Sequence, residues 1–244
     1  NKRTSKKKVN DEKKIYRQNI KLINSIESKY SIEKNLLLSL MGIETNFGKY
    51  LGKMDIISSL ATLSFDKRRS DFFTSELIAL LKLIDNEIVN HKLLYGSWAG
   101  AFGNFQFMPS TIMNYAVDSN NDNKINLKSM SDSFASAANY LNKLGWKSNK
   151  PCYKEIQLMD NIPLKLLNTS AKKLKNKKKI KYLKKYIKDY ENLNIDENYV
   201  VAIITPDKDI VANANPLKPA YIVFENYELI LKWNRSLRFA LAVC

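Results

Sequence analysis

From Ile15 to Leu144 the apolar residues of this chain return at helical intervals, and after Pro151 that rhythm is lost. A stripe recurring every three to four residues buries well only as an amphipathic helix, so it restricts the first part of the chain to helix-on-helix packing. Ile15, Ile20, Ile23 and Ile26 open the pattern. Ser31 reads as the N-cap of a helix that runs to Phe47 and stops at Gly48. Asp55 to Ser64 and Ser70 to Asn90 predict two more helices, the second carrying Phe72, Phe73, Leu77, Leu80, Leu81, Ile84 and Ile88. Gly96 to Gly103 is a glycine-punctuated loop and Asp118 to Leu127 a polar one. Between them Ser110 to Val117 reads as helix, and Ser131 to Leu144 as a helix closed by Gly145.

Beyond Pro151 the expected structure is different. Residues 151–170 read as irregular. Lys172 to Lys188 holds ten lysines and no acid, yet Leu174, Ile180, Leu183 and Ile187 keep helical intervals, which predicts a short basic helix. Tyr199 to Thr205 and Tyr221 to Phe224 are β-branched and aromatic runs of strand type, and Asn226 to Val243 is helical again. The expected class is therefore mainly α (α+β). Its parts are a flexible basic tail over 1–14, an α domain over 15–150, a small β-containing subdomain over 151–225, and a C-terminal helix over 226–244 that returns to the α core.

Composition closes off several chemistries. The single histidine, His91, argues against a Ser-His-Asp triad and against zinc sites needing two histidines. Only 7 glycines are present, with no phosphate-binding glycine motif. Cys152 and Cys244 carry no metal-ligand spacing and read as free thiols. A net charge of +16 points to an anionic partner. The lysine run lacks the interleaved aromatics of a single-strand platform, so nucleic acid is not expected as that partner. The chain opens on Asn1-Lys2-Arg3 rather than on Met and an apolar leader, as a processed chain or a fragment would.

Three groupings could carry chemistry. Glu44 shares a helical face with Leu37, Leu40 and Met41, and Phe47 continues the stripe. A carboxyl on an apolar face keeps its proton more readily and can deliver it to a glycosidic oxygen. The competing reading is a structural Glu that turns to water or pairs with Lys49 or Lys53. Ser97 to Ser110 brings small residues, aromatic rings for stacking on sugars, and the donor-acceptor side chain of Gln106; it reads equally as a turn with a hydrophobic plug. Asp118, Asn120, Asp122, Lys124 and Asn126 alternate as in a calcium loop. Asn123 stands where such loops have Gly, and Ser129 where they have a bidentate Glu; Asp132 is the nearest later carboxylate. A metal-free polar loop is the alternative.

The segments Gly42-Ile43-Glu44-Thr45-Asn46-Phe47-Gly48 and Ala61-Thr62-Leu63-Ser64-Phe65 resemble the membrane-bound lytic murein transglycosylase B family. So do Gly100-Ala101-Phe102-Gly103, Gln106-Phe107-Met108-Pro109-Ser110 and Tyr115-Ala116-Val117-Asp118, followed by Ala138-Asn139-Tyr140-Leu141 and Gly145-Trp146. Trp233-Asn234-Arg235-Ser236 and Ala240-Leu241-Ala242-Val243 are similar to the family's last helix. The resemblance implies a lysozyme-like catalytic α domain with a small β subdomain, acting as a monomer on peptidoglycan glycan strands in the bacterial periplasm. It puts Glu44 on the lone catalytic acid/base, and Ser97, Gln106, Tyr140 and Asn234 on sugar-contacting positions. It also makes Asp118, Asn120, Asp122, Lys124 and Asp132 the frame of a structural calcium or sodium site. No cofactor is implied for the chemistry. Trp233 and Phe239 depart from the family's aromatic hydroxyls.

The implied reaction splits the bond between N-acetylmuramic acid and N-acetylglucosamine without water and leaves a 1,6-anhydro end. A hydrolytic muramidase and a non-catalytic glycan-binding protein are the alternatives. The lysine run is expected to aid contact with an anionic wall or membrane surface.

Overall fold

The computed structural model describes residues 6–244, which divide into two compact units, residues 6–148 and 149–244. The first contains α1 (Lys6–Gln18), α2 (Ile20–Tyr30), α3 (Lys34–Thr45), β1 (Met54–Asp55), α4 (Ile56–Ser64) and α5 (Ser70–Asp85). It continues with β2 (Tyr95–Gly96), α6 (Pro109–Tyr115) and α7 (Met130–Leu144). Local capping chemistry explains several boundaries. The Asp55 carboxylate accepts the Ser58 N–H at 2.7 Å, and Ser129 Oγ accepts the Asp132 N–H at 3.2 Å, so each ties down an orphan amide at its helix start. Gly145 takes φ +93 and closes α7. The centre of this unit is α7, whose Phe134, Ala135, Ser136, Ala137 and Ala138 are all buried; short side chains let its neighbours approach closely.

Two expectations for this unit are corrected. Ser31 is not an N-cap: it takes φ +55 and closes α2, and the α3 start is held by Glu27, whose carboxylate accepts the Lys34 N–H at 3.0 Å. Burial of Ile32 between the helices fixes this register. Within the expected tail 1–14, residues 6–14 form most of α1, while 1–5 lie outside the described residues. Lysine-rich α1 has no buried residue and is held by polar contacts. The Lys8 ammonium donates to Gly42 O at 3.1 Å, an orphan carbonyl of the last α3 turn, and Asp11 pairs with Lys49 at 2.7 Å.

The second unit contains β3 (Tyr153–Ile156), β4 (Leu167–Asn168), β5 (Lys178–Lys179), β6 (Val200–Ile204), β7 (Ala220–Val223), α8 (Glu225–Trp233) and α9 (Leu237–Val243). Its sheet runs β3-β7-β6-β4, with β5 also on β6; β4 lies parallel to β6 and the other pairs are antiparallel. Residues 151–170, expected to be irregular, supply two of these strands. The basic helix expected over Lys172–Lys188 is absent: β5 and two single 3-10 turns, Ile180–Tyr182 and Lys184–Tyr186, take its place. Ile180, Leu183 and Ile187 still face the core, because a 3-10 turn also brings residues three apart onto one side. The helix expected over Asn226–Val243 is broken at Asn234–Ser236, where Ser236 Oγ caps α9 through the Phe239 N–H. Cys152 and Cys244, read as free, form a disulfide with their Cα atoms 5.9 Å apart. A separation of 92 residues gives no local signal of such a pairing; the fold brings together the start of β3 and the end of α9.

Candidate active site

Glu44 sits half-buried on the last turn of α3, above Leu37, Leu40 and Met41, all buried. The helix ends abruptly. Asn46, Phe47 and Gly48 take φ of +51, +60 and +78, three left-handed residues in succession. Such a conformation costs a bulky residue like Phe and survives where the surroundings impose it. Here it folds the Phe47 ring back onto Gly42, where an added Cβ would lie 2.8 Å from the ring. Thr45 locks the same turn: its Oγ1 lies 2.8 Å from Asn104 O and 3.2 Å from Met41 O, and it accepts the Gly48 N–H at 3.1 Å. Asn104 is buried and donates from Nδ2 to Ser133 Oγ at 3.0 Å, which fastens the Glu44 turn to the start of α7.

The loop from Gly96 to Phe107 carries the other expected residues. Ser97 closes a tight turn, its N–H donating to Ala101 O at 2.8 Å and its Oγ accepting the Ala101 N–H at 3.0 Å. Gln106 takes φ +50, and its Nε2 donates to Gly103 O at 3.0 Å and Leu51 O at 3.3 Å, tying this loop to the segment after α3. Tyr140, on α7, packs on Tyr115 with ring centroids 4.5 Å apart and meets Phe107 edge-on at 5.8 Å. Burial, reinforced by the neighbouring Tyr115, pushes the Tyr140 phenol above its ordinary pKa, so it remains a neutral donor. Phe102, Phe105 and Phe107 are buried and form the hydrophobic plug, the second of the two readings of this loop; Trp98, 68% exposed, is the ring of this loop open to a ligand.

Glu44, Ser97, Gln106 and Tyr140 thus share the first unit, linked through the Asn104 and Gln106 hydrogen bonds and the Phe107 contact. Asn234 belongs to the second unit, in the break after α8, where its carbonyl accepts the Ser236 N–H at 2.7 Å. Phe239 is buried there as a packing residue.

Three supporting residues escaped the sequence reading: Thr45, Asn104 and Glu76. Glu76 is buried on α5, and its carboxylate accepts the Ser110 N–H at 2.8 Å and hydroxyl at 2.7 Å, anchoring the start of α6. Thr45 and Asn104 flank Glu44 and Gly103, so adjacency to a candidate residue was the available signal. Glu76 stands in an ordinary helical pattern and gives none.

Close backbone approach constrains the rim. Gly52 takes φ +86, and a Cβ there would lie 2.0 Å from the Gly96 carbonyl oxygen. Gly52→Ala is expected to force this backbone apart and to cost about 2–4 kcal/mol from overpacking plus left-handed strain. Thermal melting checks it, and an unchanged Tm refutes it.

The polar loop is built on two acids. Asp118 accepts the Asn123 N–H at 2.8 Å, and buried Asp132 accepts the Ser119 and Asn126 N–H groups at 3.0 and 2.9 Å. Asn123 takes φ +64, so it supplies the left-handed turn that a glycine usually provides. The Lys124 ammonium turns away to Glu87, at 3.1 Å from its carboxylate, so only its backbone carbonyl suits a cation. Asn120 Nδ2 donates to Asp122 Oδ2 at 2.8 Å. No group of three His, Cys, Asp or Glu positioned for a metal occurs among the described residues.

The family described as transglycosylase SLT domain matches the chain over residues 1–244. The chain belongs to that family. Membrane-bound lytic murein transglycosylase B of Escherichia coli (strain K12) is 41% identical to this SLT domain over 118 residues, which are 48% of the chain and 33% of that protein. Pseudomonas aeruginosa SltB3, solved in complex with NAG-anhNAM-pentapeptide, superposes with a TM-score of 0.83 at 28% identity, covering 99% of the chain and 62% of SltB3. Escherichia coli Slt35, solved in complex with calcium, gives a TM-score of 0.79 at 26% identity, over 99% of the chain and 73% of that structure. The chain therefore spans a third of the curated relative and under two thirds of SltB3. The fold is that of the lysozyme-like lytic transglycosylases: mainly helical, with a small sheet.

Proposed function

We propose that this SLT domain is a peptidoglycan lytic transglycosylase that uses Glu44 as its one catalytic acid and base. The observation that carries the reading is Glu44 itself, half-buried on an apolar helix end that Thr45, Asn104 and a left-handed Phe47 hold in place. The complex of SltB3 with an anhydro-sugar muropeptide supports the product.

In this mechanism the Glu44 carboxyl gives its proton to the oxygen joining N-acetylmuramic acid to N-acetylglucosamine, and the C1–O bond breaks. The resulting carboxylate takes the proton of the muramic acid's C6 hydroxyl, whose oxygen bonds to C1 and closes the 1,6-anhydro ring. Proton count is restored and water is not consumed. Ordinary glycosidases need a second carboxylate to activate water or form an adduct. Here a hydroxyl already held in the substrate attacks, and its effective molarity outcompetes water. Ser97, Gln106, Tyr140 and Asn234 contact the glycan. Because the Gln106 amide nitrogen is spent on Gly103 and Leu51, its oxygen is the acceptor for a sugar hydroxyl, while Tyr140 donates. Digestion of sacculi followed by mass spectrometry tests the reading: the products are to end in anhydro-muramic acid, lighter by one water than muramidase products. Reducing ends alone would establish the muramidase instead, and binding without cleavage a glycan-binding protein.

The same reading makes the Asp118–Asp132 loop a weak structural site for calcium or sodium, with Asp118, Asn120, Asp122 and the Lys124 carbonyl as ligands and Asp132 as the brace of the loop. The left-handed Asn123 and the calcium complex of Slt35 support it. Millimolar calcium is expected to raise the Tm by roughly 2–5 °C, and Asp122→Ala to abolish the rise. A calcium-independent Tm would reject the site. The enzyme acts as a monomer in the bacterial envelope, on the periplasmic side. The name of the membrane-bound relative supports that place; no helix among the described residues is long and apolar enough to cross a membrane.

A further inference from the structure

The second unit carries a feature that glycan cleavage does not use. A cavity of about 400 Å³ is walled by Lys165, Lys172, Lys173 and Lys175 together with Leu167, Asn168, Thr169, Ser170 and Asn176. No acidic residue lines it. Two lysines of the basic segment are neutralised, Lys177 by Glu228 at 2.9 Å and Lys184 by Glu197 at 2.6 Å. None of the four ammonium groups of the cavity enters an ion pair among the described residues.

These like charges are held together by a built loop. Asn168 is buried; its Oδ1 accepts the Lys175 N–H at 2.6 Å, and its Nδ2 donates to Lys175 O at 3.1 Å and Ile203 O at 3.0 Å. Asn176 closes the base a second time by donating to Lys165 O. Leu174 is buried between the exposed Lys173 and Lys175 and pins the loop from inside. The ordered backbone brings four unpaired cations to one hollow, which focuses their field on whatever enters. The backbone ordering that an anionic ligand would otherwise have to impose is already present, while the exposed lysine side chains are left for the ligand to gather.

We propose that this cavity binds a phosphate-bearing anion. A phosphate group brings up to two negative charges and several acceptor oxygens, which lysine ammoniums satisfy as point donors. A carboxylate would meet one charge of four. The Ser170 hydroxyl accepts the Lys172 N–H at 3.3 Å, leaving its own proton to donate. The volume admits a phosphate headgroup or a pyrophosphate. A second hollow shares Lys172 and Lys173 and adds Lys232 and Arg235; its one acid, Glu228, is paired with Lys177, so the positive surface continues past the first cavity. The site is independent of the glycan reading.

Calorimetric titration of the full chain with inorganic pyrophosphate, at about 50 mM and about 300 mM salt, tests the proposal. Saturable binding with one site is expected, weaker at high salt. The Lys165→Gln/Lys172→Gln/Lys173→Gln variant is to lose at least tenfold in affinity. Lys178→Gln/Lys179→Gln/Lys181→Gln removes as much charge from exposed positions outside the cavity and is to change affinity less than twofold. Cosedimentation with phosphatidylglycerol vesicles, against phosphatidylcholine vesicles, separates the sources: loss of vesicle binding in the cavity variant alone identifies a lipid headgroup, and equal vesicle binding by both variants identifies a soluble phosphate. Equal loss of pyrophosphate affinity in the two variants, or no saturable binding at low salt, overturns the site. Matching circular dichroism melts show that both variants are folded.

Discussion

Glu44→Gln is expected to leave the chain folded and to reduce glycan-strand cleavage by roughly a thousandfold or more, because in the proposed mechanism one side chain serves as acid in the first step and base in the second. Glutamine keeps the length and shape of the side chain but neither gives up nor accepts the proton at working pH. The Thr45–Asn104 link is made by the Thr45 hydroxyl and the Phe47 turn by backbone, and neither uses the Glu44 carboxyl, so the substitution leaves them in place. Sacculus binding should therefore persist while soluble muropeptides disappear, a split between binding and turnover that a merely structural carboxylate would not produce. Activity equal to that of the unaltered chain would remove Glu44 from the mechanism. A joint loss of binding, turnover and melting temperature would make it a structural residue.

How much of this was legible depends on how far each signal reaches along the chain. The α7 helix was readable to within a residue at its start, because Gly145 is a local stop signal and Leu141 and Phe134 mark a helical stripe. Spacing alone leaves Glu44 open between a proton donor and a structural acid, and the family resemblance is what singles it out. Helix α1 was not readable, since nothing apolar drives it; its supports are Lys8 on Gly42 O and Asp11 on Lys49, contacts 34 and 38 residues distant. The basic segment misled for a related reason. Intervals of three satisfy a 3-10 turn as well as an α-helix, and the choice between them is made by β6 and the core of the second unit. Asn168 and Glu76 are polar residues whose partners lie across the fold, and composition treats them as surface.

The Cys152–Cys244 bridge is the long-range pairing with the largest expected consequence. It ties the last residue of the chain to the start of β3, across a separation of 92 residues. Closing a loop of that size in the unfolded chain removes conformational entropy that the folded state has already given up. Its loss is expected to cost about 2–5 kcal/mol. In a unit of this size that lowers the Tm by at least about 10 °C. Cys152→Ser/Cys244→Ser, or reduction of the unaltered chain, should produce this shift, with the loss of α9 packing seen first because Val243 and Ala240 are buried beside the bridge. Bridges of this kind persist in oxidising compartments, which supports the proposed place of action. Alkylation of the denatured, unreduced chain is to find no reactive thiol; two labelled cysteines would show that the bridge does not form. A bridge that forms but shifts the Tm by less than about 2 °C would mean that α8 and α9 hold the C-terminus without it.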